Sequence, residues 1–213
     1  MATQLGLYNG ALLICRERFL TALTDPGEPC RLLNYVWSEN GVNACLEMAQ
    51  WNFAMRTISI IPDPSIQPSF GYVYVYDKPA DWVLTSAVSE EPYFRVPLTR
   101  YFDEAGYWYA DLQTIYVRYV SNDPTYGGNL GAWPESFDEM VKAYFAWRII
   151  GKLTKDENEQ ARVERIFKAA KLHAKSRSAM AEPTSFVAQG AWSRARQRFL
   201  NRRDGGSIGN LIG

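Results

Sequence analysis

The spacing of apolar residues changes twice along this 213-residue chain. Near the start, Leu5, Tyr8, Leu12, Cys15, Phe19 and Leu23 recur every three or four positions, which places them on one helix face. Between Trp51 and Val120 the recurrence is every second position. It is clearest in Tyr72-Val73-Tyr74-Val75-Tyr76, where tyrosines take one face of a strand and valines the other. Helical spacing returns with Phe137, Met140, Val141, Tyr144, Phe145, Trp147 and Ile150. A chain with these periods is neither a plain bundle nor an alternating βα repeat. The expected class is α+β, mainly α: a bundle of about four helices, an inserted antiparallel β-rich subdomain, and an extended C-terminal arm.

Punctuation sets the boundaries. Residues 1–52 read as a helical hairpin, with helices over 3–23 and 29–50 separated by Thr24-Asp25-Pro26-Gly27. Pro29 suits a first helical turn, and Gly41 marks a kink or a close helix contact. Residues 53–132 read as the β-rich insertion, with strands at 57–61, 72–76, 83–88, 94–98, 107–110 and 114–121. In the last of these, Ile115, Val117 and Tyr119 share one face and Tyr116, Arg118 and Val120 the other. The Gly-rich run from Tyr126 to Gly131 reads as a flexible loop. Residues 133–182 hold two more helices, the first opened by Pro134, the second by Thr154 and Glu157 at capping-box spacing. Residues 183–213 form the arm.

Charge is divided unevenly. Lys+Arg and Asp+Glu both number 23. Residues 1–160 carry 12 basic and 20 acidic side chains, whereas residues 161–213 carry 11 and 3. A basic end on an acidic body favours head-to-tail association between copies, or docking on an acidic partner. The arm adds aromatic anchors, Phe186, Trp192 and Phe199, to the arginines Arg194, Arg196, Arg198, Arg202 and Arg203. With no partner in its own sequence, it reads as a docking segment.

Candidate chemistry is sparse. The one histidine, His173, lies beside Lys171 and Lys175 on a basic helix and reads as a surface residue. Cys15, Cys30 and Cys45 match no metal or redox spacing and read as free thiols of a reducing cytoplasm. Asp156, Glu157 and Glu159 suit a helix N-terminus better than a metal. Glu90-Glu91 and Asp103-Glu104 are the carboxylate pairs that a cell-wall hydrolase would need. The basic final helix, or the aromatic strands, would serve a nucleic-acid-binding module, against which the acidic body argues. No phosphate-cradling loop, cofactor site or metal site is expected. No apolar run approaches the roughly 20 residues that span a bilayer, and no signal peptide is expected at the N-terminus.

Four stretches, in order, resemble the head–tail adaptor proteins of tailed bacteriophages, the group that includes the tail tubular protein A of podophages. They are Ala11–Arg18 with Leu23–Asp25 and Glu28–Leu33; Trp51–Arg56; Tyr74-Val75-Tyr76-Asp77-Lys78-Pro79-Ala80-Asp81-Trp82, similar to the family's Y-x-Y-D-x-P-x-D-W turn; and Ile115–Val120 leading to Trp133–Phe137. Gly190–Trp192 and Ala195-Arg196 match more loosely. The resemblance implies a non-enzymatic ring, typically of twelve copies, below the portal protein at the head–tail junction of a virion. Such a ring, made in the host bacterial cytoplasm, extends the DNA channel without reading its sequence and receives the next tail or nozzle protein. In relatives the C-terminal segment grips the portal. Some relatives in short-tailed phages have been linked to peptidoglycan cleavage, and no catalytic residue carries over to this chain.

Overall fold

In the computed structural model, which describes residues 2–68, 71–104 and 106–181, helix α1 (Gln4–Cys15) starts where the Thr3 hydroxyl accepts the Gly6 N–H at 3.1 Å. It stops at Arg16, whose φ of 62° is left-handed. The apolar spacing predicts a longer helix, to residue 23. Instead the chain doubles back: the Asn9 amide accepts the Leu20 N–H (2.8 Å) and donates to the Leu20 carbonyl (3.2 Å). Phe19 then faces solvent, 54% exposed.

The single helix expected over 29–50 is two, α2 (Glu28–Ser38) and α3 (Gly41–Leu46), broken at Asn40 with φ 58°. Gly41 explains the break. A Cβ there would stand 2.5 Å from the Val36 carbonyl oxygen, so the turn closes only around glycine. Helix α4 (Glu135–Leu153) is the centre of the bundle and packs against α1, α2, α3 and α5 (Glu157–Met180). Its Phe137, Met140, Val141, Phe145 and Ile149 are buried. Trp147 is not; it stacks on Phe167 of α5 at the surface, 19° from parallel. Asp156, rather than Thr154, caps α5 by accepting the Asn158 N–H at 2.9 Å.

Two three-stranded antiparallel sheets lie between α3 and α4. Sheet 1 has the order β1 (Met55–Ile60), β6 (Ile115–Ser121), β3 (Trp82–Ser89). Sheet 2 has the order β2 (Tyr74–Asp77), β5 (Tyr107–Ala110), β4 (Tyr101–Glu104). The expected split of β6 holds. Ile115, Val117 and Tyr119 pack against Tyr76, Trp108 and Ala110 of sheet 2. Val120 joins Val83 in the core under the helices. Two residues of β3, Val83 and Ser86, are bulged out of register with β6. The strand expected at 94–98 is not formed. Phe94 is left-handed (φ 53°), and only Pro97 bridges to Ser89; the strand facing β5 is Tyr101–Glu104 instead. The fold is thus α+β and mainly helical, with five α-helices among the described residues, of which strands make up 19% and helices 44%.

Candidate functional site

The Tyr74–Trp82 turn carries the most specific sequence pattern, and its side chains converge on two polar knots. Tyr76, fully buried, donates its hydroxyl to the Leu112 carbonyl, and burial pushes its phenol up to about 12. Pro79 and Trp82 close the turn through the Trp82 N–H (3.0 Å).

Asp81 forms the first knot. Its carboxylate accepts from Arg56 on β1 (2.9 Å), from the Tyr119 hydroxyl (3.1 Å) and from the Ser121 hydroxyl on β6. Its backbone carbonyl accepts the Asn122 N–H at 3.0 Å. Burial alone would raise the carboxyl, but the bonds from Ser121, Arg56 and Tyr119 outweigh it and hold Asp81 below the usual carboxylate range. The bond to Asp81 also raises the Arg56 guanidinium, which lies over the Tyr126 ring at 5.5 Å. Tyr119 is raised, first by burial and then by the Asp81 charge. The knot ties β1 and β6 to the turn that leads into β3.

Lys78 forms the second. Its side chain is only 6% exposed. The ammonium sits 3.8 Å above the Trp82 ring, within reach of Trp108, and pairs with Asp103 on β4. The other Asp103 oxygen accepts from the Thr85 hydroxyl (2.6 Å), which in turn accepts the indole N–H groups of Trp82 and Trp108. This knot fastens sheet 1 to sheet 2. Sequence reasoning missed it. Its signal was a lysine and an aspartate among tryptophans within strand-forming runs, where charge needs a partner.

The carboxylate pairs are not assembled as a hydrolytic pair. Neighbouring strand residues point to opposite faces: Asp103 turns inward to Lys78 and Trp108, while Glu104 faces out beside Tyr109. Glu91 accepts its own turn's Arg95 N–H at 3.1 Å, and Glu90 is exposed. A different pair does meet, Asp63 with Asp77. The Ser65 hydroxyl and N–H hold Asp63 low, whereas burial and the Asp63 charge raise Asp77.

The run expected to be a flexible loop is a tightly held turn. The Gly127 carbonyl accepts the Trp133 indole N–H (2.8 Å), and its N–H reaches Ser121. Cys15, Cys30 and Cys45 are buried free thiols, and burial pushes Cys15 up to about 11. His173 is exposed, as expected. It lines a groove of about 600 Å³ with Trp51, Phe53, Glu135, Glu139 and Arg177, at the end of α5. Among the described residues no three His, Cys, Asp or Glu side chains group to hold a metal ion, and no helix is long and apolar enough to cross a membrane. The docking residues Phe186, Trp192, Arg194, Arg196, Arg198, Phe199, Arg202 and Arg203 lie outside the described residues.

In comparison with known proteins, the chain matches no family model and no curated protein sequence.

Proposed function

We propose that this chain is a structural head–tail adaptor, one subunit of a ring, typically of twelve copies, that joins a phage portal to its tail and continues the DNA channel. The reading rests on the ordered resemblance of four stretches, and one observation carries it further. The most specific of them, Tyr74–Trp82, puts Tyr76, Lys78, Asp81 and Trp82 to use as internal fastenings. A pattern shared for such a purpose belongs to a common architecture rather than to a common reaction. Of the carboxylates a hydrolase would need, Asp103 and Glu104 point to opposite faces and Glu91 is held by its own turn, while Glu90 is exposed. The basic arm, Phe186 to Arg203, is the portal-gripping segment in this reading, its arginines pairing with portal carboxylates.

Electron microscopy of the protein mixed with its portal tests the reading. An added ring of density on one face of the portal is expected. Deletion of residues 184–213 should abolish that density while circular dichroism shows the helices retained. Portal particles without added density, under conditions where both proteins are folded, would refute the adaptor role. Clearing of purified peptidoglycan by the protein, lost in Glu104→Gln, would favour the hydrolase instead.

A further inference from the structure

Among the described residues, helix α5 is packed against on one side only. Val163, Phe167 and Ala174 are its buried residues, whereas Leu172 and Met180 are 72% and 73% exposed. Arg165, Lys168 and Leu172 stand in one row, since residues four and seven apart share a helix face. From residue 161 to 181 the helix carries six basic side chains and one acidic, Glu164. Lys168 pairs with Glu164 at the surface, and Arg165 has no carboxylate partner among the described ion pairs.

Helix α2 presents the opposite combination. Tyr35 is 59% exposed. Its row holds Glu28 and Glu39, both exposed, with Arg31 between. Glu47, just past α3, is exposed as well. The two helices flank α4 on different sides. α5 meets it through Tyr144 and Trp147, α2 through Phe145 against Trp37. Phe145 lies about 100° around the helix from Tyr144 and about 200° from Trp147. The exposed faces therefore point in different directions.

We propose that the α5 face of one copy, Leu172 with Arg165 and Lys168, seats on the α2 face of a second copy, Tyr35 with Glu28 and Glu39. Two α5 faces together would set like charges against each other, so the contact is head-to-tail. Head-to-tail contacts close into rings when the rotation allows. The proposal deepens the adaptor reading by naming the joint between subunits, and rests on that reading for the closure of the ring.

Sedimentation velocity of the full chain tests it. The unmodified protein should self-associate, less so as salt rises. Arg165→Glu with Leu172→Glu, and separately Tyr35→Ala with Glu39→Ala, should each weaken association about tenfold or more. An equimolar mixture of the two should stop at a dimer, because only one intact α5 face and one intact α2 face remain between them. Arg165→Glu with Glu39→Arg in one chain, which alters exposed charges alone, should recover association lost in Arg165→Glu. Unmodified protein that stays monomeric, a first variant that assembles like the parent, or a mixture no larger than its components would each overturn the proposal. Rings of that first variant still forming on portals would sink this joint and leave the adaptor reading standing.

Discussion

Replacing Asp81 with alanine removes the acceptor on which side chains of β1 and β6 converge, just ahead of β3. Tyr119 and Ser121 are fully buried, so each hydroxyl left without its acceptor costs about 1–2 kcal/mol. Arg56, with a third of its side chain exposed, regains water, and its loss adds less than about 1 kcal/mol. The expected destabilisation is about 2–5 kcal/mol, a large share of what holds a domain together. Equilibrium urea unfolding, followed by tryptophan fluorescence, reads it. With an m-value of about 2.5 kcal/mol/M, the midpoint should fall by about 1–2 M. Tyr119→Phe and Ser121→Ala added to Asp81→Ala remove the stranded donors and should recover part of the loss, a non-additivity that marks one network. The pH dependence has a definite sign. Asp81 is held below its unfolded value, so its stabilisation is complete above about pH 4 and disappears as pH falls through the lower folded value. The gap between parent and Asp81→Ala should therefore narrow in acid. A midpoint within about 0.3 M of the parent at neutral pH would refute the reasoning.

Other expectations are shorter. Lys78→Ala unties sheet 1 from sheet 2 and should lower stability by about 2 kcal/mol, or about 4–8 °C in a calorimetric melt; an unchanged melt would show the ammonium to be superfluous. Gly127→Ala would place a Cβ 2.3 Å from the Ser121 carbonyl and should cost about 1–3 kcal/mol. Gly151→Ala meets nothing within 4 Å and should gain about 0.5–1 kcal/mol on α4; the same melts decide both, and equal effects would contradict the packing described. In a carboxyl carbon NMR titration Asp77 should deprotonate above Asp63, and the reverse order would show that the two do not interact as described.

Long elements with strong periodicity were legible from residue order alone. α4, α5 and β6 lie within a few positions of expectation, because their apolar spacing and their burial agree. The failures have local causes. Phe19 extends the apolar stripe of α1 on paper, but the Asn9 amide offers the Leu20 backbone a better arrangement than a further helical turn. Phe94 and Val96 look like strand residues; the Arg118 guanidinium over the Phe94 ring, 4.7 Å away, accompanies a left-handed backbone there instead. The knots at Asp81 and Lys78 depend on partners 25 to 40 positions distant, and periodicity says nothing about such pairings. The Y-x-Y-D-x-P-x-D-W pattern pointed to the right segment without disclosing what its charged residues hold.

In both sheets the strand that leaves the ribosome last is the one in the middle. β1 and β3 do not pair with each other and find β6 only once Ser121 has been made; β2 and β4 flank β5 in the same way. Until then the nascent chain carries open edges rich in tyrosine and valine, the kind that recruit other polypeptides. Synthesis from Met55 to Ser121 is thus the interval in which those edges stand open, and slow translation there would favour inclusion bodies over folded protein.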